Sequence, residues 1–221
     1  MTGCGKIIPA IDLEGFKIID EEADSIYLTY EEIGKIHRLD LSEDEVLALH
    51  RDIFVLGCLT GMRFSDVSSL RFSDMRNGML YKKMNKTDSR VIIPLRKEAQ
   101  EIFTNRITET GVHISGPVFN RNIKEIAKQA GITELVTISY KRGTQDVVET
   151  KPKSDLVTSH SCRRSFCSNE YLANTPINLI MKISGHRTHK DFFKYIKISE
   201  EEAAQKVQEI WASRNSMCSL P

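Results

Sequence analysis

In "SGHRTHKDFFKYIK" (residues 184–197), His186 follows Gly185 and stands nine residues ahead of Tyr195 in a basic segment. A phenol ionises near pH ~10, so a nucleophilic tyrosine needs cations around it and a base within reach. Three other stretches carry suitable groups. "TGMRFSDVSSL" sets Arg63 in the tight connection after Gly61, where a planar guanidinium fork suits phosphate oxygens. "KTDSRVIIPL" puts Lys86 at a hairpin tip, as a phosphate contact or as proton donor to a departing alkoxide; Lys82 and Lys83 compete for either role. "HSCRRSF" spaces His160 and Arg163 three apart, on one face of a helix start. Such a pair can hold a phosphoryl group as negative charge builds, with Arg164 as the adjacent rival. Taken singly, each stretch also reads as something ordinary: a surface arginine, a turn lysine, an exposed helix start, a short helix whose Phe192, Phe193 and Tyr195 are core.

The elements that must position these groups are mostly helical. Thr29 and Glu32 form a capping box that opens a first helix with Ile33 and Ile36 inward. "SEDE" (Ser42–Glu45) reads as a second box, opening a helix with Val46, Leu49, Ile53 and Leu56 on one face and ending near Gly61. A short helix spans 65–70, and the Asn77-Gly78 dipeptide then predicts a tight turn between "LRFSDM" and "MLYKKM". With "RVIIPL" (90–95) this gives an antiparallel sheet of two or three strands. Helices follow at 96–110, 120–130, 160–173 and 176–183, the last with Thr175 as cap and Pro176 at its first position. "KRGTQDVVETKPKSD" (141–155) reads as a polar, turn-rich connection, and Ser199 with Glu202 opens a final helix over 199–213 bearing Val207, Ile210 and Trp211. The expected class is mainly α with a small antiparallel β-sheet (α+β).

The net charge of +1 conceals an uneven distribution. Residues 1–60 carry 5 Lys/Arg against 13 Asp/Glu, whereas residues 61–198 carry 24 against 13. The basic part coincides with the four stretches, and clustered cations favour a polyanionic partner through charge and counterion release. The longest apolar runs, such as "IFVLGCL" (53–59), are too short to span a bilayer, and the first residues lack a signal pattern, which predicts a cytosolic chain without membrane partners. The five cysteines show no zinc-type spacing and are expected as thiols.

In this order, "TGMR", "KT…V.IPL", "HSCR" and "GH…Y" resemble the tyrosine recombinase (phage integrase) family, over roughly residues 26–198. The resemblance implies that Arg63 and Arg163 clamp a scissile phosphate, that Lys86 is the acid for the 5′-hydroxyl, and that His160 and His186 are hydrogen-bonding or proton-transfer partners. Tyr195 would be the nucleophile, forming a 3′-phosphotyrosyl ester with no metal or cofactor. The implied partners are double-stranded DNA and further copies of the chain, assembled on DNA as a tetramer through the last helix. A bacterial mobile element is the implied setting, with the protein on DNA in the cytoplasm.

The family usually adds an N-terminal helical domain that closes around DNA. Residues 1–25 are too few for it, so they are expected to be a leader or linker remnant ahead of a catalytic domain at 26–221. The position after Arg163 is often histidine in the family and is Arg164 here; Cys162 stands where an apolar residue is common. Two other readings compete. One is a type IB topoisomerase, with related tyrosine chemistry. The other is a non-catalytic DNA-binding regulator, because "TPINLIMKISGHRTHKDFFKY" passes for a helix-turn-helix.

Overall fold

A computed structural model of the chain describes residues 25–142 and 145–218; the leader expected over 1–25 lies, up to residue 24, outside the described residues. Helix α1 (Tyr30–His37) starts at the expected box, with Thr29 Oγ1 accepting from Glu32 N at 3.2 Å and Glu32 Oε2 accepting from Thr29 N at 2.7 Å. Ile33 and Ile36 are buried beneath it. Helix α2 (Glu45–Thr60) departs from expectation at its start. Its cap is Asp44, whose carboxylate accepts from Leu47 N at 2.9 Å, while Ser42 donates its amide to Asp40 in the preceding turn. A carboxylate three residues ahead of an orphan amide serves the same end as the serine would have, two residues earlier. Val46 is exposed rather than inward, and the second half of α2 is buried on nearly every side because α1, α4, α5 and α7 surround it.

The short α3 (Phe64–Ser68) leads into strands β1 (Met75–Arg76), β2 (Met79–Lys83) and β3 (Arg90–Pro94), an antiparallel sheet in that order. Asn77 and Gly78 both have positive φ, 51° and 71°, as the predicted two-residue turn requires. Val91 and Ile93 face the core while Ile92 faces out, the period of a sheet covered on one side. Helices α4 (Lys97–Arg106) and α5 (Gly116–Gln129) follow, the latter opening four residues earlier than expected with Pro117 in its first turn.

The stretch read as a polar connection is instead the second half of a hairpin, β4 (Leu135–Arg142) paired with β5 (Gln145–Pro152). One face of the ribbon is only half-buried, with Val136, Ile138 and Tyr140 alternating with exposed Thr137 and Ser139, while Leu135 and Val148 are 68% and 67% exposed. Cross-strand pairs such as Thr137–Thr150, with hydroxyls 3.0 Å apart, join it. After α6 (Lys153–Leu156) come α7 (Ser159–Leu172), α8 (Ile177–Ser184), α9 (His189–Phe193) and α10 (Glu200–Cys218). Pro176 takes the cap position of α8, while Thr175, expected there, donates its hydroxyl to Glu170 at 2.7 Å. Ser199 and Glu202 cap α10 reciprocally, as read from sequence. The class is mainly α with small antiparallel sheets. One apolar cluster centres on α2; a smaller one, Phe166, Cys167, Ile180, Met181 and Phe192, lies beneath the loops bearing His186 and Tyr195.

Candidate active site

Helix α2 stops at Gly61, which takes φ 69°. A Cβ there would fall 2.4 Å from the Phe166 ring, so the position needs glycine for both its conformation and the close approach of α7. Arg63, two residues on, sits extended at the start of α3 with its side chain only 15% exposed. Asp66, in the first turn of α3, is fully buried, and its Oδ1 accepts from the backbone amide of Asn85 at 2.7 Å. That bond fastens the β2–β3 turn to α3 and carries Lys86 toward Arg63. Arg63 Nη1 and Asp66 Oδ2, 4.0 Å apart, are both buried without a hydrogen-bond partner.

Arg163 is the largest fully buried side chain. Its Nη1 donates to the carbonyls of Gly61, at 2.9 Å, and of Ser184, and its Nε donates to His186 Nε2 at 3.2 Å. Nη2 has no partner. These bonds go to neutral acceptors, so burial and the nearby Arg63 charge pull the guanidinium pKa down to about 10, which leaves it a cation at neutral pH. A buried cation with an unused donor is costly unless an anion arrives.

Helix α8 ends at Gly185, with φ 71°, and His186 follows. Burial, and then the charges of Arg163 and Arg63, lower its pKa to about 3, so the ring is neutral. Its centroid lies 4.8 Å from that of Tyr195, and Arg163 Cζ lies 5.2 Å from the Tyr195 centroid. Arg63, Lys86, His186 and Tyr195 share the wall of one cavity of about 290 Å³, and Arg163 touches two of them from beneath. His160, in the first turn of α7, is exposed and does not line that cavity. Desolvation and then the charges of Arg164, Arg63, Lys86 and Arg163 hold its pKa below the ordinary value.

The competing lysines are engaged elsewhere: Lys82 Nζ donates to Ser69 O at 2.6 Å and to Asp74, and Lys83 pairs with Asp88 at 2.7 Å. Sequence reasoning did not single out Thr87, whose buried hydroxyl lacks a partner at the cavity wall, or Arg187. Arg187 donates to Thr87 O and to Ser89 Oγ, tying the loop after His186 to the turn bearing Lys86. Their signal was adjacency: each directly follows a residue that was singled out.

Cations and a tyrosine thus surround one cavity on a mainly helical scaffold. The phage integrase family model matches residues 27–202, and the chain belongs to that family. The fold is similar to that of XerA recombinase, with a TM-score of 0.61 at 16% identity over 86% of this chain and 65% of that one. It is similar too to a lambda integrase dimer bound to a COC′ core site (0.55, 18%, 79% and 59%). The Tn1549 transposon integrase in complex with transposon right-end DNA is a third such structure (0.53, 16%, 85% and 66%). The chain therefore spans 59–66% of the length of these structures. No curated protein matches it in sequence. Among the described residues, no helix is long and apolar enough to cross a membrane.

Proposed function

We propose that this chain carries the catalytic centre of a site-specific DNA recombinase that cuts and rejoins duplex DNA through a 3′-phosphotyrosyl intermediate. The observation that carries this reading is the buried, unpartnered Arg163 Nη2 beside Tyr195, with Arg63 and Lys86 on the wall of the same cavity. A phosphodiester supplies the missing charge and acceptors: its non-bridging oxygens accept from the guanidinium groups of Arg163 and Arg63, and negative charge accumulating on those oxygens is stabilised by donors already in place. Tyr195 Oη attacks phosphorus and the P–O5′ bond breaks. The phenolic proton passes to a base beside the site, with His160 and His186 the proposed hydrogen-bonding or proton-transfer partners, and Lys86 protonates the departing 5′-oxygen. His160, off the cavity wall, would have to turn toward the bound phosphoryl group to add a hydrogen bond. The ester conserves the bond energy, so a 5′-hydroxyl from a second duplex reverses the step and joins the new strand.

A bacterial mobile element is the proposed setting, supported by the likeness to a transposon integrase. Assembly of several copies on DNA is proposed to use α10, whose Val207 and Trp211 are 42% and 61% exposed. The test is incubation with nicked suicide duplexes built from the ends of the element that encodes the chain, followed by denaturing electrophoresis. A DNA-linked band in the wild type that disappears in Tyr195→Phe is expected; bound but never covalently linked DNA would contradict strand cleavage.

A further inference from the structure

Ser184, the last residue of α8, is fully buried, and the chemistry above does not use it. Its hydroxyl oxygen lies 2.6 Å from the Ile180 carbonyl and 2.8 Å from His186 Nδ1. A carbonyl can only accept, so the single hydroxyl proton goes to Ile180 O and a lone pair is left for the imidazole. The proton between Oγ and Nδ1 is thus the ring's own. On the other side of the ring, Nε2 faces the Nε–H of Arg163 at 3.2 Å, and a guanidinium has no lone pair to offer. Nε2 must therefore be the acceptor. Two bonds from different helices demand the same protonation pattern.

We infer that Ser184 is a positioning residue that locks His186 in its Nδ1–H tautomer, turning the Nε2 lone pair toward Arg163 and the cavity that holds Tyr195. The neighbouring Cys167 does not upset this arrangement, since burial pushes its thiol up to about 12 and keeps it protonated. The Ser184 carbonyl also accepts from Arg163 Nη1, so this residue seats the buried arginine as well as orienting the histidine. Without the hydroxyl, Nδ1–H has lost its acceptor. The alternative tautomer would set two N–H donors against each other at Arg163, so the ring has no single well-satisfied state.

The inference rests on the proposed strand cleavage only for its kinetic consequence, and its first readout needs no DNA. Long-range ¹H–¹⁵N correlation spectra of the imidazole groups at pH 7 should show His186 with a protonated Nδ1 and an unprotonated Nε2. That pattern should be lost in Ser184→Ala and kept in Ser184→Thr, which retains the hydroxyl. On suicide substrates, Ser184→Ala should slow single-turnover cleavage by about tenfold or more at unchanged DNA affinity, with Ser184→Thr restoring the rate. A wild-type His186 protonated at Nε2, or a tautomer unmoved in Ser184→Ala, would overturn the inference whatever the DNA chemistry proves to be.

Discussion

Arg163 is a buried cation with no ion pair among the described residues, and much of the site's behaviour follows from that. Any oxyanion reaching its unpartnered Nη2 and the Arg63 guanidinium should stabilise the native state by mass action, about 1.4 kcal/mol at ten times the dissociation constant. Inorganic phosphate or sulfate should therefore raise the thermal midpoint of the wild type, and Arg163→Met should abolish the response. Arg163→Lys keeps a charge but not the fork, and should cut strand cleavage by about 10²–10³. Acid should also weaken the fold through His186, whose pKa of about 3 lies below the ordinary 6.5. The unfolded chain takes up a proton below 6.5 that the folded ring refuses, so stability is lost as pH falls from there toward 3, at up to about 1.4 kcal/mol per unit. Denaturant titrations at pH 7 and pH 5 should show this loss, and His186→Gln should reduce it by up to about 2 kcal/mol. The residue types around Tyr195 were legible in sequence because each motif contributes its own chemistry. The contact between Arg163 and His186, and the part played by Ser184, were not, since a serine at a helix end carries no mark of what lies across from it.

At the scale of elements, the reciprocal caps at Thr29–Glu32 and Ser199–Glu202 were legible because their physics is local. The start of α2 was not, because Ser42 and Asp44 are both good caps and the next turn decides between them. The β4–β5 ribbon escaped notice because its alternation, Val136, Ile138 and Tyr140, is short and its second strand is mostly polar. Gly61 joins element to site: it ends α2, admits Phe166, gives its carbonyl to Arg163 and leads directly to Arg63. Gly61→Ala combines a left-handed backbone with overpacking and should destabilise the protein by about 2–4 kcal/mol, read as a fall in urea midpoint at constant slope. Gly131 also has positive φ, but a Cβ there meets nothing within 4 Å; Gly131→Ala should cost only the backbone strain, about 1–2 kcal/mol.

For the whole molecule, the excess of basic residues between 61 and 198 makes duplex affinity an ionic-strength measurement. Neutralising about five phosphates would weaken binding several-hundred-fold between 50 and 200 mM salt, a loss that an affinity insensitive to salt would contradict. Trp211, the single tryptophan, offers a view of assembly from the outer part of α10. Its emission should shift to the blue when copies gather on DNA, and Trp211→Ala should weaken that assembly while changing monomer stability by less than about 0.5 kcal/mol. The central claim is that Tyr195 becomes bonded to DNA. Its most direct test is to trap the covalent adduct, digest the DNA with nuclease and the protein with protease, and locate the nucleotide-bearing residue by mass spectrometry. A phosphonucleotide on Tyr195 is predicted; the same mass on another side chain, with Tyr195 unmodified, would contradict the account.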